Sequence, residues 1–256
     1  MKKVVKKVNK KVILVNKKEG ETPLEALEKF RSAHTSYKNV SMTYAGRLDP
    51  MASGVLILLA GDEVYQKEKY LKLDKEYEFE VLFGFATDTY DILGKVIKTA
   101  KQGLAEKDLA CEVENNLKFF TGKFVQKYPM YSSKTVKGKQ LFAYAREGVE
   151  VQAPEREVFV KKLNFLKLRT ISTKKLLENI EKRISKVGGD FRQKEILKLW
   201  HQNLSGSNEQ KFFIASFEIN CSSGTYVRGV ANSLGEKINI PALAFTIKRT
   251  KIGKYK

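Results

Sequence analysis

The sequence is poor in the residues on which metal and disulfide chemistry is built. It contains 2 cysteines and 2 histidines among 256 residues. Cys111 and Cys221 are too few and too far apart for a disulfide framework or a zinc site, and neither His34 nor His201 lies at a metal-ligand spacing. The patterns G-x-x-x-x-G-K-[ST], G-x-S-x-G and G-x-G-x-x-G after a strand do not occur either. We therefore expect no metal and no cofactor, so that an enzyme built on this chain would rely on carboxylate chemistry.

Long hydrophobic runs are also missing. The longest apolar run is about a strand long, far short of the ~20 residues that span a bilayer. Residues 1–18 are basic but lack the apolar core and the small-residue cleavage site of a secretion signal. We therefore expect a cytoplasmic protein that does not bind a membrane.

Acidic residues are scarce relative to basic ones. Lys and Arg number 48 against 29 Asp and Glu, which gives a formal net charge of +19. Such an excess favours a polyanionic partner, because basic side chains neutralise phosphates and release counterions. RNA fits better than DNA, since no helix-turn-helix or zinc-finger pattern is present.

Both hydrophobic periodicities occur along the chain, without a regular strand-helix-strand repeat. Strands are predicted over 12–15, 55–59, 77–81, near 96, and over 157–168, 212–220 and 243–250; helices are predicted over 22–30, 63–71, 106–119 and 225–237. This mixture predicts an α+β fold with a mixed, largely antiparallel central sheet and flanking helices. We expect residues 1–256 to form a single domain.

Two segments look peripheral to that sheet. Residues 128–151 interleave aromatic residues with basic ones, which suits stacking and phosphate contact on RNA but equally suits an ordinary surface hairpin and helix. Residues 171–210 have a helical pattern with a break at Gly188-Gly189 and look like an insertion between strands. The sequence assigns this helical insertion no role.

A turn at residues 46–56, Gly-Arg-Leu-Asp-Pro-Met-Ala-Ser-Gly-Val-Leu, holds one carboxylate just before an apolar strand. Gly46 and Gly54 permit backbone angles that other residues resist, and Pro50 fixes φ directly after Asp49. An isolated Asp-Pro would be only a turn signal. The longer string presents the acid rigidly at the edge of a sheet, as functional groups on loops commonly are.

This string resembles the signature of the TruB family of tRNA pseudouridine synthases, G-x-L-D-P-x-A-[ST]-G-x-L. Further strings similar to family motifs follow in the same order at 74–77 (D-K-x-Y), 84–91 (G-x-x-T-D-T-x-D), 128–134 with 138–139 and 144–148 (the thumb), and 221–228 (C-S-x-G-T-Y-[IV]-R). Any one of them could arise by chance, but the ordered set covers nearly the whole chain. The resemblance implies the pseudouridine synthase fold with a protruding thumb at 128–151.

The resemblance also implies the roles of particular residues. Asp49 is expected to be the catalytic carboxylate, and Arg228 its ionic partner through a bidentate contact. Tyr77 is expected to stack on a flipped uridine and Ile247 to supply an apolar wall, as base-flipping enzymes require. Without the resemblance, Arg228 would be interpreted as a surface phosphate contact. Tyr77 and Ile247 would be interpreted as ordinary core residues.

Further residues are expected to contact the RNA: Tyr44, Asp91, Lys134, Lys139 and Arg146. For Asp91 a structural role is the first expectation and help in arranging the pocket the second. Tyr44 stands where the family often has histidine, so it can stack or donate a hydrogen bond but cannot become a cation.

Two other departures from the family pattern concern RNA binding. The family's Gly-x-x-Thr-Lys run reads 61–65 Gly-Asp-Glu-Val-Tyr here, and Lys67 or Lys69 can replace the lost basic contact. The chain stops soon after 249–253, where relatives often carry a small C-terminal RNA-binding (PUA-type) domain. We therefore expect the catalytic domain to bind RNA by itself, with the lysines of residues 1–10 and the helical insertion as candidate compensations.

The sequence thus predicts a monomeric enzyme that isomerises a uridine of the tRNA T-loop and binds the T-arm. Two alternatives stay open: an RNA-binding or tRNA-folding protein with secondary or lost catalysis, and a guide-dependent relative acting on ribosomal RNA.

Overall fold

A computed structural model describes residues 10–100, 106–205 and 210–256. Its strands are β1 (Val12–Lys17), β2 (Met42–Ala45), β3 (Ala52–Ala60), β4 (Lys75–Phe83), β5 (Phe85–Thr87), β6 (Val96–Thr99), β7 (Gly122–Lys127), β8 (Thr135–Val136), β9 (Lys139–Gln140), β10 (Glu155–Ser172), β11 (Lys211–Cys221) and β12 (Ala242–Ile252). Its α-helices are α1 (Pro23–Ala33), α2 (Lys67–Leu71), α3 (Glu106–Asn116), α4 (Leu141–Glu147), α5 (Thr173–Ile184), α6 (Gln193–Leu204) and α7 (Val227–Lys237). The basic residues before Lys10 and the polar residues 206–208, both noted in the sequence, lie outside the described ranges.

The molecule is built around an 8-stranded sheet in the order β1-β3-β12-β4-β11-β10-β7, with β2 paired to β3. Its pairs are antiparallel except β3 with β12, which run parallel. The short strands form two hairpins, β5-β6 and β8-β9. The predicted α+β fold with a mixed, largely antiparallel sheet is confirmed.

The sheet is covered by helices on both faces. Because successive side chains of a strand point to opposite faces, Phe79 and Val81 of β4 pack in one core and Leu82 packs in the other. Helices α3 and α7 complete the first core, and α5 and α6 complete the second. The predicted half-buried strand at 77–81 is confirmed and continues into a stretch buried on both faces.

The helical insertion at 171–210 does connect β10 to β11, but it contributes to the core. Trp200 of α6 is fully buried, and its indole N–H donates to the carbonyl oxygen of Ile92 at 3.2 Å. A buried tryptophan needs such a partner for its polar end. Helices α5 and α6 therefore form a layer of the fold rather than an appendage.

Local boundaries follow most of the predicted signals. Helix α1 starts with the predicted capping box, in which the Thr22 side chain accepts from the Glu25 amide and the Glu25 side chain accepts from the Thr22 amide. The stretch predicted as a helix over 63–71 begins instead as a 3-10 helix, Gly61–Gln66, and becomes α-helical only in α2. Residues 128–151 form a loop, the β8-β9 hairpin and α4.

Candidate active site

Asp49 lies in a tight turn between β2 and β3. Its carbonyl oxygen accepts from the Ala52 amide at 3.0 Å, which places Pro50 at the second position of a turn where proline is favoured. The Pro50 carbonyl accepts from the Gly20 amide at 2.8 Å. The Asp49 side chain keeps 38 % of its surface exposed. The turn therefore fixes the backbone and leaves the carboxylate accessible.

Arg249 of β12 holds the backbone on both sides of that turn, and the sequence did not reveal it. The side chain is 1 % exposed; Nε donates to the Val55 carbonyl at 2.8 Å and Nη2 to the Gly46 carbonyl at 3.0 Å. Gly54 permits this approach, since a Cβ there would lie 2.1 Å from the Arg249 carbonyl oxygen. Residues 248–251 read Lys-Arg-Thr-Lys, so the sequence gives no sign that this arginine is buried.

Lys17 at the end of β1 is a second support that the sequence did not reveal. The side chain is fully buried, and Nζ donates to the carbonyl oxygens of Lys18 at 3.0 Å, Glu21 and Pro50 at 3.3 Å. Burial lowers the pKa of Lys17 to about 8, although the acidic groups of Glu21 and Asp49 oppose the shift. Lys17 thus ties the Asp49 turn to the loop before α1.

Arg228 of α7 donates to the carboxylate of Asp49. Nε lies 2.7 Å from Oδ2 of Asp49, and Nη1 and Nη2 donate to the carbonyls of Thr89 (2.5 Å) and Tyr131 (2.8 Å). The contact is thus a single hydrogen bond and not the bidentate contact expected, because the other two nitrogens donate to backbone carbonyls. Burial alone would lower the pKa of Arg228, but the charges of Asp49 and Asp91 outweigh burial and raise it. The guanidinium is 2 % exposed and stays charged.

Asp91 organises the loop that carries Thr89. Its Oδ1 accepts from the Thr89 hydroxyl at 2.8 Å and from the Leu93 amide at 2.9 Å, and the side chain is buried. Burial raises the pKa of Asp91 to about 6, while Arg228 lowers it and Asp49 raises it further. Its position behind Arg228 fits the structural role that the sequence favoured first.

One cavity of about 910 Å³ brings most of the predicted site residues together. It is lined by Asp49, Tyr77 and Arg228, and also by Tyr44, Asp91, Arg146 and Ile247. Such a volume lies within the usual range for a bound small molecule or a single nucleotide.

Tyr77 and Ile247 lie on neighbouring strands and on the same face of the sheet. Ile247 of β12 pairs directly with Phe79 of β4, two residues from Tyr77, and both side chains pack on the first core. Burial raises the pKa of Tyr77 to about 12, although Arg249 opposes the shift. The phenol is therefore neutral at physiological pH and presents an aromatic surface.

A second hollow of about 320 Å³ adjoins the cavity and shares Tyr44 and Tyr128 with it. We call it the basic vestibule; it is lined by Tyr44, Gly46, Arg47, Lys67, Leu71, Tyr128, Ser133, Lys134 and Tyr226. Lys67 Nζ lies 5.4 Å from the ring centroid of Tyr44, and Lys134 Nζ lies 5.3 Å from that of Tyr128. These are cation–π distances.

Two other basic residues raised by the sequence lie elsewhere. Lys139 lines neither hollow and pairs with Glu147 of α4. Lys69 packs over Tyr70, 5.6 Å from its ring centroid, so of the two candidate replacements for the family's lysine only Lys67 reaches the vestibule. Arg47, which the sequence did not single out, donates to the hydroxyl of Ser133 in the thumb.

The described ranges hold no group of three or more His, Cys, Asp or Glu arranged to bind a metal ion. None of the helices in these ranges is long and apolar enough to cross a membrane.

Comparison with known proteins matches the chain to one family model. The model "TruB family pseudouridylate synthase (N terminal domain)" matches residues 34–182. A tRNA pseudouridine synthase B of Lactobacillus acidophilus is 32 % identical over 238 residues, which is 93 % of this chain and 67 % of the relative. A second, of Clostridium kluyveri, is 28 % identical over 244 residues, covering 95 % of this chain and 68 % of the relative.

Solved structures show a similar fold at low sequence identity. A chain of a Cbf5-Nop10-Gar1 complex gives a TM-score of 0.55 at 16 % identity, covering 96 % of this chain and 49 % of that one. A chain of an H/ACA RNP bound to a substrate RNA containing 2'-deoxyuridine gives 0.53 at 15 % identity and covers 96 % of this chain. This chain therefore spans about half the length of those structural neighbours, and the likeness concerns the fold.

Proposed function

This chain belongs to the TruB family of pseudouridylate synthases, and from that premise we propose that it converts a uridine in the T-loop of tRNA to pseudouridine with Asp49 as the catalytic carboxylate. The observation that carries the proposal is the hydrogen-bonded ion pair of Asp49 with the buried Arg228, at 2.7 Å, in a cavity walled by Tyr77 and Ile247. The names of the most similar relatives support tRNA as the substrate.

The ion pair suits the chemistry. In the isomerisation the N1–C1′ bond breaks, the uracil rotates while it is held and C5 bonds to C1′. C5 then loses its proton and N1 gains one, so that the composition does not change. Asp49 acts on the flipped nucleotide as a nucleophile or as a base, and either role needs an ionised carboxylate. Arg228 donates to Oδ2 of Asp49 and leaves Oδ1 without a hydrogen-bond donor among the described residues. That oxygen is available to the substrate.

The walls of the cavity suit a base that is detached and then rejoined. A flipped uracil would lie against the ring of Tyr77 on one side and Ile247 on the other. These two walls would hold the free uracil while it rotates. The neutral phenol of Tyr77 adds no charge to this step.

The basic vestibule is where the rest of the T-arm would enter. Lys67 and Lys134 place cationic groups beside the rings of Tyr44 and Tyr128, so a base can stack where a phosphate is neutralised. Tyr44, which replaces histidine, would act there as a stacking surface, and Lys67 would supply the missing cation. Arg146 lines the cavity on the thumb side, and contact of Lys139 with RNA stays a prediction. A single catalytic domain acting as a monomer is part of the same proposal.

The test is to map pseudouridine after incubating the purified chain with an unmodified tRNA transcript, without added metal or cofactor. Chemical derivatisation followed by primer extension should give a stop at one T-loop uridine. A matched transcript with cytidine at that position is the control and should give no stop there. Absence of a stop at every T-loop uridine would contradict the proposal.

A further inference from the structure

We propose that Arg192, in the loop before α6, is a positioning residue that braces the two segments holding Arg228 against Asp49. The inference rests on the proposed function and gives the helical insertion, to which the sequence assigned no role, a part in the reaction. A chain of contacts runs from the helical insertion to the active site.

Arg192 contacts both Asp88 and Tyr131. Nη1 donates to Oδ2 of Asp88 at 2.7 Å and to the Tyr131 hydroxyl at 2.6 Å, and Nη2 donates to Oδ1 of Asp88 at 3.3 Å. The guanidinium carbon also lies 4.2 Å from the ring centroid of Tyr131. The side chains of Arg192 and Asp88 are only 17 % and 21 % exposed, so solvent screens their attraction incompletely. One side chain thus joins the helical insertion, the loop at 87–93 and the thumb.

Asp88 and Tyr131 belong to the two segments that hold Arg228. Nη1 of Arg228 donates to the carbonyl of Thr89, the residue after Asp88, and Nη2 donates to the carbonyl of Tyr131 itself. Arg192 therefore grips the same two segments whose carbonyl oxygens fix the guanidinium of Arg228. A shift of either carbonyl would turn Nε of Arg228 away from Asp49.

The loop before α6 is itself held in place. Arg192 has a φ of 64°, a left-handed conformation that non-glycine residues rarely adopt. Its amide donates to Oδ1 of Asp190 at 3.1 Å, and Nη2 of Arg146 in the thumb donates to the carbonyl of Asp190 at 2.8 Å. Strained residues of this kind persist where the surroundings determine them, often at functional sites. The thumb is therefore attached to this loop at two points.

A direct phosphate contact is the competing role for Arg192, because the residue also lines the cavity. Its charge is already paired with Asp88, and both of its terminal nitrogens are used within the protein. A phosphate ligand would have to displace that pair. Bracing uses the contacts that the guanidinium already makes.

The kinetic test compares Arg192→Ala and Arg192→Lys with Lys198→Ala, which removes the same charge from an exposed position of α6. With saturating enzyme, we expect the single-turnover rate of Arg192→Ala to fall about tenfold or more while the Kd for tRNA changes less than about twofold. Arg192→Lys should recover part of the rate, because lysine pairs with Asp88 but cannot grip Asp88 and Tyr131 together. An unchanged rate, or a weaker Kd at an unchanged saturated rate, would overturn the proposal.

A second readout does not depend on turnover. Amide hydrogen exchange of the free protein should quicken at residues 87–93 and 128–141 in Arg192→Ala and stay unchanged in Lys198→Ala. Equal exchange in both variants would overturn the inference even if the enzyme is active. If the wild type forms no pseudouridine, the proposed function fails, and the exchange result still decides whether Arg192 braces these segments.

A double-mutant cycle identifies the partner. Asp88→Asn should slow turnover to a similar extent as Arg192→Ala, and the double variant should be no slower than either single variant, because all of them break the same pair. Additive losses would mean that the two residues act independently and would contradict the proposal.

Discussion

At the residue scale, the candidate site depends on two arginines that hold backbone carbonyls. Arg228 gives one nitrogen to Asp49 and two to carbonyls, and each of the three nitrogens of Arg249 donates to a carbonyl around the Asp49 turn. Planar guanidinium groups suit this use because their donors point in fixed directions. The carboxylate and the turn that carries it are therefore fixed separately.

The sequence identified the residues that we propose to carry the chemistry, but not those that support them. Asp49, Tyr77 and Arg228 stand in recognisable strings, and the structure brings all three to one cavity. Arg249 and Lys17 bind main-chain carbonyls, and any segment of chain offers a carbonyl, so no side-chain pattern marks their partners. The partners of Arg192 lie far along the chain and are adjacent only after folding.

Asp91 makes a prediction about pH at this scale. Its pKa rises from the ordinary 3.8 to about 6 in the folded chain, so the folded state binds the Asp91 proton more tightly than the unfolded state does. The stability that this proton contributes is complete below about pH 4 and is lost as the pH rises through 6. In Asp91→Asn this contribution is absent.

The free energies of unfolding of the wild type and Asp91→Asn should therefore be measured by urea denaturation between pH 4 and 7. We expect the wild-type value minus the Asp91→Asn value to fall by about 2 kcal/mol across that range, since one pKa unit corresponds to roughly 1.4 kcal/mol and unfolded Asp91 is itself partly protonated at pH 4. A difference that does not change with pH would contradict the assignment.

At the scale of elements, the parallel pairing of β3 with β12 determines where the site forms. Arg249 pairs with Gly54 in this register, so the side chain that supports the turn comes from the strand next to it. The pairing needs a residue without Cβ at Gly54, which has a φ of 107°.

Gly54→Ala is therefore expected to destabilise the fold by about 3 kcal/mol or more, because the methyl group adds a clash with β12 to the cost of positive φ. Gly61→Ala is the matched control: φ is 61° and nothing lies within 4 Å of the added Cβ, so only about 1 kcal/mol is expected. Chemical denaturation of both variants measures the two costs. Equal losses would show that the close approach to β12 contributes nothing.

Most helices and strands were predictable from hydrophobic periodicity. The way in which the helices pack on the two faces of the sheet was not. Strands such as β4 and helices such as α1 follow alternation or capping signals in the sequence. The helices α5 and α6 also have a helical pattern, but the pattern does not say what their apolar faces cover. Trp200, the one tryptophan of the chain, was the residue that could have indicated a core position.

At the scale of the whole molecule, the excess of positive charge is general and the basic vestibule is local. A net charge of +19 attracts any polyanion, so it does not by itself select tRNA. The vestibule places Lys67 and Lys134 beside aromatic rings next to the cavity. Binding should therefore depend on these two lysines more than on others.

The salt dependence of tRNA binding tests whether Lys67 and Lys134 contact the RNA. The slope of log K against log salt concentration should become shallower by about 1 for Lys67→Ala and for Lys134→Ala, since each loses one phosphate contact. Lys182→Ala, an exposed lysine of α5 that lines neither hollow, should leave the slope unchanged. Equal slopes in all three variants would mean that the vestibule is not the path of the RNA.

Asp49→Asn gives the most direct measurement of the central claim, that this carboxylate converts a T-loop uridine of tRNA to pseudouridine. Asparagine keeps the size of the side chain and can still accept from Arg228, so the fold should be unchanged. The Kd for tRNA should stay within about threefold of the wild-type value, while the ionised oxygen is lost. Single-turnover assays should then detect pseudouridine with the wild type and none with Asp49→Asn. Product formation by Asp49→Asn at a rate near that of the wild type would contradict the claim.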